Sequence, residues 1–196
     1  MTSAYRTASR RPRQPPSALP WPCVVLGVDT ARRSGWAVRC RGVLRYSGEV
    51  DTTRAANVRE VIELAGQVAD AARLPLVLVL ERAYGGKAFV LVALGQARER
   101  WLGPWVELGY RRSHVVSVLP ATWRARVLGR QHAIARREEV RAVEMQAARR
   151  MVAVMLTDEL GADEAAAILI SHWATYAGEV GAVLGERKGR RKRHVD

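Results

Sequence analysis

The hydrophobic positions in the first third of this chain fall into short runs, of which the first two are apolar and the third alternates loosely. Runs at 24–29, 35–41 and 43–50 predict three strands, because β-branched and aliphatic residues suit a buried sheet. Gly35 predicts a tight turn that sends the chain straight back, so the first two strands are expected to form an antiparallel hairpin. Three consecutive short strands make a meander.

The pattern then changes to alternating helices and strands. Residues 55–73 carry apolar residues at three-to-four spacing, which predicts an amphipathic helix that ends before Pro75. Five apolar residues at 76–80 predict a strand buried on both faces. The later pattern predicts a helix interrupted at Gly103–Pro104, a strand, a basic loop or short helix, and two helices, at 88–110, 114–119, 121–135, 136–156 and 163–177. This order predicts an α/β fold with a mixed sheet flanked by helices.

Two of the predicted buried strands end on a single carboxylate. Asp29 closes the first strand, and Glu81 closes the strand at 76–80. An unpaired buried charge is costly, so such an acid lies at the rim of the sheet or holds a positive group. Asp29 is expected to be exposed at the mouth of the hairpin. Because a second buried strand also ends on a single carboxylate, at Glu81, metal or phosphate chemistry is favoured over packing.

The charge balance favours a polyanionic partner. The chain has 32 Lys and Arg against 19 Asp and Glu, a net charge of +13. This excess favours nucleic acid over an acidic membrane surface, and simple solubility of an arginine-rich protein is the alternative. Cys23 and Cys40 form no CxxC pair, which argues against a zinc or redox motif and fits a reducing cytoplasm. No apolar run is long enough to span a membrane.

The two ends differ from the body in composition. Residues 1–22 are rich in proline and arginine and contain no acid, which predicts a disordered basic arm. An organelle transit peptide is the alternative for the same composition. Residues 181–196 are predicted to be a basic C-terminal tail, so one folded domain is expected over 23–180.

Four motifs follow one another along the chain: GVDTARRSGWAV, LVLVLERAYGG, Leu94–Arg98 and Pro120–Arg124. In this order they resemble the motifs of RuvC-type Holliday junction resolvases, particularly phage-type members. GVDTARRSGWAV resembles their first strand and turn, and LVLVLERAYGG resembles a second strand that ends in Glu. Leu94–Arg98 matches their Leu-Gly-Gln-Ala-Arg, and Pro120–Arg124 looks like the Pro-x-x-Trp-Arg of phage members. The resemblance covers residues 24–178. It implies a ribonuclease H-like, mixed five-stranded sheet whose first three strands are antiparallel, flanked by helices.

The resemblance also implies metal-dependent hydrolysis of phosphodiester bonds. Hard cations such as Mg²⁺ or Mn²⁺ take oxygen ligands, and two of them per active site are expected. The predicted catalytic ligands are Asp29, Glu81 and Asp163, with Glu164 as an assisting metal ligand.

The last helix departs from the family pattern at one position. The family often has a second acid three residues after the first, and this chain has Ala166 there. Three explanations stay open. Asp163 suffices as the third ligand, Asp158 or Glu159 contributes, or the site is impaired, naturally or by an engineered change.

DNA binding is expected from bases that hold phosphates rather than read sequence. Arg124 and Arg137 align with two lysines of the family. Tyr84 stands where the family has an aromatic residue that stacks on bases, and a half-buried loop tyrosine is the alternative. The predicted DNA-binding residues are Arg32, Arg33, Tyr84, Lys87, Arg124, Arg126, Arg130, Arg136 and Arg137.

The expected partners follow from the resemblance. Four-way junctions are the expected substrate in DNA recombination and repair, and two symmetric cuts imply a two-fold homodimer. Trp101 and Trp105 either join the dimer interface or pack in the core. A branch-migration translocase is a further candidate partner, and a bacterial or phage-encoded cytoplasmic protein is expected. The alternatives are a broader flap or fork endonuclease and a non-catalytic junction-binding protein; an actin-like ATPase needs a longer chain.

Overall fold

The computed structural model describes residues 19–82, 88–132, 137–152 and 160–185, and a five-stranded sheet lies at its centre. The strands are β1 (Val24–Asp29), β2 (Arg33–Cys40), β3 (Val43–Asp51), β4 (Leu76–Glu81) and β5 (Val115–Val118). Their order across the sheet is β3-β2-β1-β4-β5. The first three strands are antiparallel, while β4 is parallel to β1 and β5 is parallel to β4. The predicted mixed sheet is confirmed.

Helices cover both faces of this sheet. They are α1 (Ala55–Ala72), α2 (Ala88–Glu107), α3 (Pro120–Val127), α4 (Arg137–Val152), α5 (Ala162–Thr175) and α6 (Gly178–Val183). One hydrophobic core forms between the sheet and α1 with α2. A second core forms between the opposite face and the helices from α3 onward, and α5 contributes more residues to it than any other element. The predicted α/β architecture with flanking helices is therefore confirmed.

Alternation along the strands decides which core each side chain enters. In β1, Val24, Leu26 and Val28 pack with α1 and α2, whereas Val25 packs with α5. In β4 the residues of even number join the first core and those of odd number join the second. Because successive strand residues point to opposite faces, Asp29 and Glu81 both belong to the α5 side.

The hairpin turn differs from the prediction in two respects. Gly35 lies inside β2 and pairs with Asp29 rather than forming the turn. The turn comes earlier, where the Ser34 hydroxyl donates to the carbonyl oxygen of Ala31 at 2.9 Å. Asp29 is only 5% exposed, so the expectation that it is exposed at the mouth of the hairpin is wrong. The physical reason is that α5 packs over this end of the sheet.

Gly35 is required because α5 approaches β2 so closely. A Cβ atom at this position would lie 1.8 Å from the carbonyl oxygen of Asp163. The absence of a side chain therefore lets the first turn of α5 lie directly on the strand that pairs with Asp29.

The α2 helix is continuous, contrary to the predicted interruption at Gly103–Pro104. Tertiary packing explains this, because Trp101 and Trp105 on this helix are fully buried against the sheet. Both tryptophans are thus core residues rather than interface residues in this chain. None of the described helices is long and apolar enough to cross a membrane.

Contacts near the predicted domain limits extend slightly beyond them. The Trp21 indole nitrogen donates to the carbonyl oxygen of Ala177 at 2.7 Å, and α6 continues to Val183. The predicted arm and tail lie mostly outside the described residues, so the domain limits at 23 and 180 stay a prediction.

Candidate active site

The structure brings the two strand-end carboxylates together. Val28 of β1 is aligned with Leu80 of β4, so Asp29 and Glu81 follow as neighbours on the same face. Their carboxyl groups lie close enough for the charge on Asp29 to act on Glu81. Burial raises the pKa of Glu81 well above its usual range, and the charge of Asp29 raises it further.

Glu81 is held at both its side chain and its backbone. The indole nitrogen of Trp123, a fully buried residue of α3, donates to Glu81 Oε1 at 3.1 Å. The Thr30 hydroxyl, just after β1, donates to the carbonyl oxygen of Glu81 at 2.8 Å. The bond from Trp123 and the nearby charge of Arg124 both oppose the rise in the pKa of Glu81. The Glu81 carboxylate is therefore oriented by the protein before any ligand binds.

The third predicted ligand comes from the start of α5. Asp163 lies in the first turn of this helix, above Gly35. Its Oδ1 atom is 3.9 Å from Nη2 of Arg141, a half-exposed residue of α4. Glu164 lies in the same turn but does not line the cavity that contains the other three acids.

Asp29, Glu81 and Asp163 line one cavity of about 180 Å³. The residues around it are Asp29, Thr30, Glu81, Arg82, Leu94, Pro120, Arg124, Arg141, Glu144, Ala162, Asp163 and Ala166. Four acids and three arginines thus share one concave surface. Such a mixture suits a phosphate group that must lie beside carboxylates, since the arginines can pair with its oxygens.

Sequence reasoning missed one buried acid, Glu144 of α4. It is 3% exposed, and its Oε1 atom accepts a hydrogen bond from Nε of Arg124 at 2.8 Å. The signal was present in the sequence, because Glu144 is four residues from both Val140 and Ala148, which are fully buried on the same stripe of the helix. A carboxylate on an apolar stripe needs a partner. Arg82 and Arg141 were missed as well, since nothing in their local pattern separates them from other surface arginines.

The oxygen donors fit a hard divalent cation, although not a complete protein cage. Mg²⁺ is commonly held by one or two carboxylates, with water and substrate phosphates completing its shell. Asp29 and Glu81 match that arrangement, because they would supply two carboxylates to such an ion. Within the described residues, no group of three or more His, Cys, Asp or Glu side chains lies close enough to hold an ion together. A three-carboxylate metal site, and Glu164 within it, therefore stay predictions.

The predicted DNA-binding residues separate into different places. Arg124 lines the cavity. Arg32 and Arg33 lie in a separate groove with two acids, and Arg33 forms a 2.7 Å ion pair with Glu49. Arg126 and Arg130 are exposed on and after α3. Three more predicted residues, Tyr84, Lys87 and Arg136, lie outside the described part of the chain, as do the alternative ligands Asp158 and Glu159. Arg137 begins α4, but its side chain is outside the described part.

Comparison with known proteins finds similarity to solved structures at low sequence identity. No family profile matches the chain, and no curated protein matches it. Thermus thermophilus RuvC, solved in complex with a Holliday junction substrate, is 14% identical and has a TM-score of 0.56 over 84% of this chain and 97% of its own. A second Thermus thermophilus RuvC structure is 18% identical, with a TM-score of 0.55 over 83% of this chain and 97% of its own.

A weaker match is the yeast mitochondrial Holliday junction resolvase Ydc2. It is 13% identical, with a TM-score of 0.43 over 85% of each chain. The matches to the two bacterial structures extend over nearly the whole length of those proteins. The strand order of this chain is also the one that its four motifs led us to expect. The chain therefore has the ribonuclease H-like fold of the RuvC type.

Proposed function

We propose that this chain is a divalent-metal-dependent endonuclease that resolves four-way DNA junctions by paired symmetric cuts. The observation that carries the proposal is the contact between the carboxyl groups of Asp29 and Glu81 inside a cavity lined with arginine. The shared fold with a RuvC that was solved on a Holliday junction substrate supports the choice of DNA substrate. The net charge of +13 supports a polyanionic partner.

Each residue of the cavity has a distinct part in this proposal. Asp29 and Glu81 would hold Mg²⁺ or Mn²⁺, with Asp163 as the third ligand. A bound divalent cation supplies Lewis-acid stabilisation of the charge that develops on the phosphoryl oxygens. Trp123 keeps Oε1 of Glu81 oriented, and Arg124 and Arg141 bind phosphate oxygens of the strand to be cut. Two ions per site follow from the same proposal.

Two symmetric cuts require two active sites related by a two-fold axis, so the proposed functional state is a homodimer. Branched DNA is the proposed partner, and a branch-migration translocase is a further one. The proposed compartment is a bacterial or phage-infected cytoplasm, with an organelle as the alternative.

A second candidate function is junction binding without cleavage. It is favoured by Ala166, which lines the cavity without contributing a carboxylate, and by the lack of a three-acid group among the described residues. In this case the fold and the arginines would still bind the junction, while the chemistry would be lost.

The test is cleavage of a synthetic four-way junction, beside a flap, a fork and a linear duplex, in Mg²⁺, Mn²⁺ or EDTA. Wild type is compared with Asp29→Asn, and with Asp51→Asn as a control that removes the same charge from an exposed position. We expect paired nicks on the junction that vanish in Asp29→Asn and persist in Asp51→Asn. Equal cleavage of flaps and forks would instead favour the broader branched-DNA endonuclease.

The variant Ala166→Asp separates the two candidates. Tight binding without nicks in wild type, with nicks restored by Ala166→Asp, would establish the non-catalytic protein. A chain that neither binds nor cuts branched DNA, with or without this change, would refute both functions.

A further inference from the structure

A buried ion pair lies beside the acid pair, and nothing in the proposed chemistry has yet used one of its members. Nε of Arg124 in α3 donates to Oε1 of Glu144 in α4 at 2.8 Å, with side-chain exposures of 12% and 4%. Both residues line the cavity that contains Asp29 and Glu81. The pair therefore joins two helices at the wall of the candidate active site.

Packing alone does not account for a carboxylate at position 144. Its neighbours on the same helix stripe, Val140 and Ala148, are fully buried apolar residues. A buried ion pair is often no more stabilising than apolar side chains of similar volume, because both charges lose their hydration. A residue such as Leu would suit the stripe at least as well. The presence of Glu144 thus favours a role for its charge.

The geometry of Arg124 indicates what that role is. The guanidinium carbon lies 5.2 Å from the centre of the Trp123 ring, so the group is held against this ring on one side and by Glu144 through Nε on the other. Its terminal Nη groups make no hydrogen bond to another residue in the part of the chain that the structure describes. A guanidinium anchored through Nε presents its Nη donors to a phosphate in a fixed orientation.

The same arginine could otherwise compete for the acid pair. Its side chain lines the same cavity as Asp29 and Glu81. Without Glu144, the carboxylates that remain in the cavity would be Asp29, Glu81 and Asp163, which are those that the proposed cation needs. An ion pair with Glu144 holds the guanidinium at the cavity wall.

We propose that Glu144 is a positioning residue, which anchors Arg124 so that its terminal nitrogens bind a DNA phosphate instead of pairing with Asp29 and Glu81. This inference rests on the proposed function, because it needs DNA in the cavity. It goes beyond that function by giving a role to an acid in DNA binding.

The test is a double-mutant cycle of Glu144→Gln and Arg124→Gln, with junction binding measured in EDTA so that no cleavage occurs. Removing an acid normally tightens DNA binding by a basic protein, because the net positive charge increases. The proposal predicts the opposite change in affinity, which is weaker binding of the junction. Glu144→Gln should weaken binding about tenfold, as expected for a lost charge-assisted hydrogen bond to a phosphate. Arg124→Gln should weaken it by a similar factor, and the double variant should bind no more weakly than either.

The matched control is Glu139→Gln, an exposed acid on the same helix with the same charge change. It should bind the junction equally well or more tightly. The salt dependence adds an independent readout, since losing one phosphate contact lowers the slope of log K against log salt by about 0.9. The slope should fall by this amount in either single variant, and the double variant should have the same slope as the single variants.

The outcomes separate the two levels of the argument. Tighter binding by Glu144→Gln, or independent losses that multiply in the double variant, would overturn the positioning role while leaving the proposed function intact. A wild-type chain that does not bind junctions would overturn both. If thermal unfolding shows that Glu144→Gln does not fold, Glu144→Asp keeps the charge, shortens its reach and enters the same cycle with the same expectations.

Discussion

Replacing Gly35 by alanine should damage both stability and catalysis, because the added methyl group meets backbone rather than a movable side chain. An ideal Cβ at this position lies 1.8 Å from the carbonyl oxygen and 2.1 Å from the carbonyl carbon of Asp163, and 2.5 Å from the amide nitrogen of Glu164. Ordinary contact begins at about 3.4 Å, so the first turn of α5 must retreat by about 1.6 Å.

The magnitude follows from this displacement. Forcing one extra carbon into a packed contact costs about 1–3 kcal/mol, and backbone that cannot rotate away places Gly35→Ala at the upper end. The shift also carries Asp163 away from Asp29. A misplacement of about 1 Å at a catalytic group can lower the rate about 100-fold, so cleavage should fall by at least that factor.

Urea unfolding and single-turnover cleavage of a four-way junction measure the two effects. The control for stability is Gly95→Ala in α2, where an added Cβ meets nothing within 4 Å. This change should stabilise the chain by about 0.5–1 kcal/mol, because alanine suits a helix interior better than glycine. A Gly35→Ala variant as stable and as active as wild type would refute the argument that close packing of α5 on β2 sets the position of Asp163.

Two further predictions concern titrating groups. Because the pKa of Glu81 is raised, its contribution to stability is present below its ordinary pKa of 4.5 and is lost as the pH rises through the folded value. At neutral pH without metal, Glu81→Gln should therefore raise the melting temperature, with a gain of about 1 kcal/mol corresponding to about 2–4 °C. The same variant should lose cleavage and any stabilisation by Mg²⁺; a lower melting temperature in EDTA would contradict the reasoning. Burial and then the charge of Arg39 lower the pKa of His172 from 6.5 to about 4, so stability should fall between pH 6.5 and pH 4 as the unfolded chain takes up a proton. His172→Asn should remove about 1–2 kcal/mol of this loss of unfolding free energy, after allowance for the partial exposure of the side chain, and His132→Asn is the control. Identical pH profiles of stability for the two variants in urea titrations would refute the prediction.

The sequence predicted the fold because its period signals are strong. Apolar runs that end on Asp29 and Glu81 define two buried strands, and helical spacing from residue 55 onward defines α1. The alternation of side chains along each strand also places the two acids. In β1 and β4 the odd-numbered residues face α5, so Asp29 and Glu81 lie on the same side of the sheet.

Local patterns failed where tertiary packing decides the outcome. The α2 helix passes through Gly103–Pro104 because its tryptophans are buried, and Asp29 is enclosed because α5 lies over it. Glu144 lies on the apolar stripe of Val140 and Ala148, so its helix spacing signalled a buried acid, but not the residue that pairs with it. That partner, Arg124, comes from α3, and no pattern within one segment encodes the contact between α3 and α4.

The parity of the strands limits which insertions and deletions the chain can accept. Thr30 and Glu81 are 51 positions apart in the sequence, and most of the residues between them form β2, β3 and α1. The connections between these elements can change length without moving either acid. Inside β1 or β4 a single inserted residue would reverse every later side chain of that strand. Asp29 or Glu81 would then point into the core beneath α1 and α2. Length variants of this protein should therefore have insertions in the connections and keep the residue count of these two strands.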